Sequence, residues 1–201
     1  MIEAMPWVDY EIGGYYLQPT CVMRFSNCEV QERLIKFSDI SRVYNVLNYL
    51  GRIPWKINPK VMKVVEDIWE EGGGVGEIPP RYSEMITTYI MKQKTERDRI
   101  KLKALNKTIQ RLRDEHSLRS DFHFKLSIAR NFGKLDRFFY PHNLDFRGRV
   151  YTVPPHLNHI GNDLSRGLLL FAEGKKLGDN GLKWLKIHCA NLLGKDKATI
   201  R

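Results

Sequence analysis

A glycine- and proline-rich segment divides the chain into two mainly helical parts. Residues 72–76 read Gly-Gly-Gly-Val-Gly, and prolines follow at positions 79 and 80. Both residue types disfavour the interior of a helix or strand, and clusters of them mark turns and loops. We therefore expect a flexible surface loop at residues 72–80, with a subdomain boundary close to it.

Two helices are predicted before this loop. Apolar residues recur every three or four positions over residues 31–50, which indicates one helix that ends at Gly51. The second helix begins at Asn58-Pro59, because an asparagine side chain caps a helix and the missing N–H of proline costs nothing in the first turn. It is expected to stop at Gly72.

Helical patterns return after the loop. Residues 82–114 contain no glycine or proline and are predicted to form one long helix, and a second helix is predicted over residues 118–132. A turn near His116-Ser117 would fold the two into an antiparallel hairpin. Residues 137–160 are rich in proline, asparagine and aromatic side chains, so short strands and loops are expected there before helices resume near Asp163. The predicted fold class is mainly α with a small β element.

The positive charge of the chain is concentrated in one segment. The 201 residues hold 33 Lys and Arg against 23 Asp and Glu, a net charge of +10. Residues 92–149 alone hold 16 basic and 7 acidic side chains, a net charge of +9, whereas residues 1–91 carry −3. This concentration favours a polyanionic partner such as a nucleic acid. A solvated, Lys/Arg-rich helix face and an acidic membrane surface are the alternatives.

Composition excludes several classes of protein. With 42% hydrophobic residues the chain can form a core, so disorder over its whole length is not expected. The longest apolar run, near residues 168–172, is far shorter than the roughly 20 residues that a membrane span needs. Three cysteines are too few, and odd in number, for a disulfide scaffold. We expect a protein of a reducing compartment, without a membrane partner.

The metal-binding patterns in the sequence are weak. His156, His159 and Asp163 have the spacing that a helix would need to bring them together, but the prolines before them and a glycine among them argue against a helix. Cys21 and Cys28 match no usual zinc spacing. Neither a phosphate-binding glycine loop nor a nucleophile elbow is present. We therefore predict no metal site in this chain.

Residues 145–151 carry the strongest chemical signal. On an extended strand, side chains alternate, so one face would carry four polar groups: Asp145, Arg147, Arg149 and Tyr151. The two arginines would lie about 6.7 Å apart, and each could fork onto a phosphate. Gly148 would allow a ligand to approach the backbone closely, and Tyr151 could stack on a base. The alternative is an Asp–Arg bridge that only holds the strand in place.

These residues resemble those of a known family. Residues 139–151, FYPHNLDFRGRVY, resemble the Asp-x-x-Gly-Arg segment of the bacteriophage-type single-subunit RNA polymerases, and above all of their mitochondrial branch. Further blocks resemble the family in the same order along the chain, with the weakest likeness over residues 70–130. These blocks are residues 14–20, 54–58, 154–163, 167–175 and 181–188.

The resemblance implies a nucleic-acid site. In this family the Asp-x-x-Gly-Arg segment lies beside the active centre and contacts the template strand and the RNA–DNA hybrid. By resemblance, the binding residues here are Asp145, Arg147, Gly148, Arg149 and Tyr151. It also implies three parts: the end of the polymerase N-terminal domain (residues 1–80), a long basic helical hairpin (81–135), and the entry to the palm domain (136–201).

The resemblance does not extend to the catalytic groups of the family. Its chemistry uses two palm aspartates that hold two Mg²⁺ ions, one of them in a His-Asp motif, and no His-Asp dipeptide occurs in these 201 residues. We therefore expect an internal part of a mitochondrial RNA polymerase, with no catalytic residue and no bound metal of its own. Mg²⁺ and ribonucleoside triphosphates would be needed by the complete enzyme, and mitochondrial transcription factors would be its partners.

Two other hypotheses stay open at the level of sequence. The chain could be a stand-alone basic helical protein that binds nucleic acid without catalysis. It could instead be a poorly folding piece without function, which would expose apolar helix faces. The location implied by the resemblance is the mitochondrion, although no targeting segment opens the chain.

Overall fold

A computed structural model of the chain describes residues 2–24, 29–81, 99–195 and 197. The described part contains six helices: α1 (Glu29–Lys36), α2 (Ser41–Gly51), α3 (Pro59–Glu70), α4 (Arg99–Phe132), α5 (Asp163–Gly167) and α6 (Gly178–Leu192). It contains five short strands: β1 (Met23–Arg24), β2 (Trp55–Ile57), β3 (His142–Asp145), β4 (Val150–Thr152) and β5 (Leu169–Phe171). The predicted fold class, mainly α with a small β element, is confirmed.

The strands form two small sheets. In the first, β3 is the central strand, with β1 parallel on one side and β4 antiparallel on the other. The register places Arg24 opposite Asp145 and Asn143 opposite Tyr151. In the second sheet, β2 and β5 pair antiparallel. The first sheet therefore brings an N-terminal segment directly beside residues 145–151.

Two apolar cores support these sheets. The larger lies between α3, α4, β2 and β5, where Trp69 and Phe122 join the two helices with ring centroids 4.7 Å apart. The smaller joins the N-terminal segment to β3 through Trp7 and Leu144, and the indole Nε1 of Trp7 donates a hydrogen bond of 2.8 Å to the carbonyl oxygen of His142. The larger core consists of Trp55, Ile57, Val65, Trp69, Ile78, Phe122, Leu126, Ala129, Phe138, Tyr140, Leu157, Leu168 and Leu169.

The prediction of one helix over residues 31–50 is wrong, because the chain breaks between α1 and α2. The Ser38 hydroxyl donates to the carbonyl oxygen of Leu34 at 2.6 Å, and the Asp39 carboxylate accepts from the backbone N–H of Ser41 at 3.0 Å. Short polar side chains of this kind compete with the helical hydrogen bonds of the backbone. The pKa of Asp39 is lowered by the hydrogen bonds from Ser41, which fits a carboxylate held at the start of α2.

The helix predicted at Asn58-Pro59 is confirmed. The Asn58 side chain accepts from the backbone N–H groups of Lys60 and Val61 at 3.2 and 3.4 Å, and proline takes the first helical position. The glycine loop that follows is also present. Gly73 has a φ of +70°, and a Cβ added there would lie 2.2 Å from the carbonyl oxygen of Pro79. Only glycine fits this close return of the chain.

The predicted turn near His116-Ser117 is wrong, since α4 continues through both residues. The Ser120 hydroxyl donates to the carbonyl oxygen of His116 at 3.0 Å, one helical turn back. Leu112 and Leu126 are both buried, and their separation of fourteen positions keeps them on nearly the same helix face. The helical spacing of the buried apolar residues therefore continues through the predicted turn. The part of the predicted helix at residues 82–98 lies outside the described residues.

Helix α6 contributes no buried side chain to the described part of the structure. Trp184 is 65% exposed, and Leu182 and Leu185 are also exposed. None of the helices within the described ranges combines the length and the apolar character needed to cross a membrane.

Candidate nucleic-acid interface

The Asp-x-x-Gly-Arg segment forms a tight hairpin, so the prediction of one extended strand over residues 145–151 is wrong. Strand β3 ends at Asp145, and β4 begins at Val150. The backbone N–H of Asp145 donates to the carbonyl oxygen of Arg149 at 2.8 Å, and the N–H of Gly148 donates to the carbonyl oxygen of Asp145 at 3.0 Å. The segment therefore turns through a short hairpin loop instead of presenting alternate faces.

Gly148 is explained by the backbone conformation of this loop. Its φ is +76°, in the left-handed region that favours glycine, and a Cβ added there would meet no atom within 4 Å. Hairpin loops of this length commonly place glycine in that region. The glycine is therefore needed for the turn itself, and the space beside it is open.

The Asp145 carboxylate holds the turn from inside. One oxygen accepts from the backbone N–H groups of Arg147 and Arg149, both at 2.9 Å, and the other accepts from the Tyr151 hydroxyl at 3.4 Å. Partial burial acts to raise the pKa of Asp145, but the hydrogen bonds from the two N–H groups and from Tyr151 outweigh it, so the pKa is lowered. Asp145 therefore stays ionised and fixes the backbone of both arginines.

The arginine side chains are left at the surface of the turn. Arg147 and Arg149 are both exposed. The guanidinium of Arg147 lies 5.1 Å from the ring centroid of Phe146, which is itself 62% exposed. The hairpin presents two cations and an aromatic ring to solvent. The structure thus brings together the five predicted residues, with Asp145 on the inside and the arginines outside.

Sequence reasoning missed Arg24. Its guanidinium lies 4.8 Å from the ring centroid of Tyr151 and donates to Asn143 and Thr152 on the two strands of the hairpin. No local signal marks this arginine, because the contact depends on the pairing of β1 with a strand about 120 positions further along the chain.

The basic segment of α4 is partly neutralised. Arg130 pairs with Glu66 at 2.8 Å, and Lys125 pairs with Asp121 at 2.6 Å. Arg111 pairs with Glu115 at 3.5 Å, whereas other basic side chains of the helix are exposed: Lys103, Lys107 and Arg113. Part of the +9 charge therefore stabilises contacts within the protein, and the remainder is available to an external anion.

Comparisons with known proteins show which family the chain resembles. The profile of the DNA-dependent RNA polymerase family matches residues 175–201. The mitochondrial DNA-directed RNA polymerase of Neurospora crassa is 42% identical over 205 residues, covering 98% of this chain. By sequence, the chain is similar to the mitochondrial-type RNA polymerases over nearly its whole length. DNA-directed RNA polymerase 1, mitochondrial, of Arabidopsis thaliana is 40% identical over 195 residues, and chloroplastic RNA polymerase 3 of Nicotiana sylvestris is 40% identical over 200.

The resemblance to the mitochondrial branch that the sequence motifs indicated is thereby confirmed. The alignments cover 96% of the chain for the two plant relatives. In the other direction, the chain spans 14% of the Neurospora polymerase and 20% of each plant polymerase.

The RNA polymerase family implies Mg²⁺ ions, which need several oxygen ligands close together. Within the described ranges, no three His, Cys, Asp or Glu side chains come together as metal ligands. The His156 ring lies 3.3 Å from an Asp121 oxygen, whereas His159 stacks on Trp55 with ring centroids 4.7 Å apart. Asp163 pairs with Arg166. The described residues therefore offer Mg²⁺ no ligand set.

Proposed function

We propose that this chain takes part in template-directed RNA synthesis in mitochondria, and that its β3–β4 hairpin contacts the template strand and the RNA–DNA hybrid. The observation that carries the proposal is the pair of exposed arginines on a turn fixed by Asp145. The relatives, named as mitochondrial and chloroplastic DNA-directed RNA polymerases, support the polymerase role. Residues 1–80 would end the N-terminal domain, 81–135 would form a basic helical region, and 136–201 would enter the palm.

The hairpin would bind nucleic acid through the position and the charge of its two arginine side chains. Because the Asp145 carboxylate is occupied by backbone N–H groups, the Arg147 and Arg149 side chains can direct their donors outward. A guanidinium presents a planar fork of donors that matches a phosphate, and it stays charged at any physiological pH. Phe146, beside Arg147, adds a surface on which a base can stack.

The chemistry of nucleotide addition would come from groups outside these residues. Two-metal phosphoryl transfer needs carboxylates that hold both ions against the attacking and leaving oxygens. In the complete enzyme, Mg²⁺ would neutralise the developing charge on the triphosphate, and this hairpin would orient the template. Mitochondrial transcription factors would act on that complete enzyme.

A primed-template extension assay tests the catalytic part of the proposal. The purified 201-residue chain, with Mg²⁺ and all four ribonucleoside triphosphates, is expected to extend no primer. A sequence-related mitochondrial polymerase of full length serves as the positive control in the same buffer. Mg²⁺-dependent RNA synthesis by the purified chain contradicts the proposal.

Binding to an RNA–DNA hybrid tests the other part. Arg147→Ala and Arg149→Ala should each weaken binding and reduce the dependence of log K on log salt by about one unit, because each removes one phosphate contact. Arg137→Ala is the matched control, since it removes the same charge from the same basic segment but its guanidinium already pairs with Glu173 at 3.3 Å. An unchanged salt dependence in both hairpin variants would show that residues 145–149 have only a structural role.

A further inference from the structure

Arg24 clamps both strands of the hairpin at once. Its Nε donates to Asn143 Oδ1 on β3 at 2.8 Å, and one terminal nitrogen donates to the carbonyl oxygen of Thr152 on β4 at 2.7 Å. Its guanidinium carbon lies 4.8 Å from the centroid of the Tyr151 ring. One side chain therefore contacts three different groups of the hairpin: a side-chain amide, a backbone carbonyl and an aromatic face.

The strand register makes this clamp possible. Strand β1 runs parallel to β3, and its last residue, Arg24, is the register partner of Asp145. Asn143 lies opposite Tyr151 across the β3–β4 pair, so the two side chains share one face of the sheet. Arg24 covers that face from the β1 side. Asn143 is only 6% exposed, so loss of its partner would leave a buried amide oxygen without that hydrogen bond.

A chain of contacts leads from Arg24 to the exposed arginines. Arg24 lies over the Tyr151 ring, and the Tyr151 hydroxyl donates to Asp145 at 3.4 Å. Asp145 in turn accepts from the backbone N–H groups of Arg147 and Arg149. A contact that holds the Tyr151 ring in place therefore also affects the position of the Asp145 carboxylate, which shapes the turn.

We propose that Arg24 is a positioning residue for nucleic-acid binding by the hairpin, acting through Tyr151 and Asp145. This inference rests on the function proposed above. The planar fork of arginine is required, because it reaches Asn143 and Thr152 in two directions while its flat face covers the tyrosine ring. A lysine carries the same charge on a single ammonium group and has neither the fork nor the flat face.

The test compares Arg24→Lys with Arg137→Lys in the 201-residue chain, each bound to the same RNA–DNA hybrid over a range of salt concentrations. The charge is unchanged in both variants. Arg24→Lys is expected to weaken binding about threefold to tenfold, the loss expected from one or two hydrogen bonds. Its salt dependence should stay that of the wild type, because no phosphate contact is removed. Arg137→Lys should bind as the wild type does.

A spectroscopic signal follows the proposed route. With 3-fluorotyrosine in place of tyrosine, the ¹⁹F resonance of Tyr151 is assigned by its absence in Tyr151→Phe. Arg24→Lys should shift this resonance, since the cation leaves the ring face, and Arg137→Lys should not. Tyr151→Phe should itself weaken hybrid binding, because it removes the hydroxyl from Asp145. That variant tests the second link even where Arg24→Lys lowers stability.

The outcomes separate this inference from the proposed function. Weaker binding with a shifted resonance supports it. Unchanged affinity in Arg24→Lys contradicts it and is also the result expected if Arg24 contacts a phosphate directly, because lysine would replace it there. Weaker binding with an unmoved resonance overturns the route through Tyr151. If Arg147→Ala and Arg149→Ala also bind like the wild type, the proposed function itself has failed.

Discussion

Replacing Gly148 tests the hairpin geometry on which the site depends. The φ of Gly148 is +76°, and a Cβ there would meet no atom within 4 Å, so Gly148→Ala adds no clash and changes only the backbone preference. An L-residue in the left-handed region costs about 1–2 kcal/mol. We therefore expect Gly148→Ala to lower the free energy of unfolding by about 1 kcal/mol, after allowing for the smaller entropy of the unfolded alanine chain.

Two further variants isolate that cause. Gly148→Asn should cost less than Gly148→Ala, because asparagine tolerates the left-handed region better than other residues with a side chain. Gly174→Ala is the matched control. Gly174 is exposed, has no neighbour within 4 Å of an added Cβ and lies outside the left-handed region, so its replacement should change stability by no more than about 0.5 kcal/mol.

Urea denaturation followed by circular dichroism measures these differences. A loss of about 1 kcal/mol corresponds to a midpoint lower by about 0.5 M urea for a chain of this size. The order expected is wild type and Gly174→Ala highest, Gly148→Asn next and Gly148→Ala lowest. If Gly148→Ala unfolds at the wild-type midpoint, or Asn costs as much as Ala, the left-handed turn is not what Gly148 supplies.

Two more predictions concern stability. Burial and the neighbouring His159 lower the pKa of His142 from 6.5 to about 4, so the folded state excludes a proton that the unfolded chain binds. Stability should therefore be complete above about pH 6.5 and lower by about 2 kcal/mol at pH 5, a loss that His142→Gln should largely remove in urea titrations at pH 7 and 5. Asn58→Ala should cost about 1 kcal/mol, because it removes the acceptor for the Lys60 and Val61 N–H groups, and Asn58→Asp should restore most of it in the same assay.

Local signals in the sequence predicted local structure well. Asn58 followed by proline specified the start of α3, because both effects act within one helical turn. The hairpin at residues 145–149 also had a local signal that the strand interpretation overlooked. Aspartate at the first position and glycine at the fourth favour a type I turn, and Asp145 and Gly148 have that spacing.

The remaining differences between the sequence predictions and the structure come from competition between local and long-range effects. No glycine or proline supported the turn predicted near His116-Ser117. The buried stripe from Leu112 to Leu126 stabilises a continuous helix instead. Arg24 could not be predicted for a different reason, since its contacts are long-range. Its partners lie about 120 positions away, and only the parallel pairing of β1 with β3 brings them together. A single sequence carries no periodicity from which such a pairing can be derived.

The salt dependence of hybrid binding by the double variant Arg147→Ala/Arg149→Ala tests most directly whether the hairpin binds the hybrid. Both guanidinium groups are exposed on a turn whose backbone is held by Asp145, so their removal should leave the fold intact while both phosphate contacts are lost. The slope of log K against log salt should be shallower by about two units, and the melting temperature should equal that of the wild type. A slope equal to that of the wild type would show that the hairpin does not bind the hybrid.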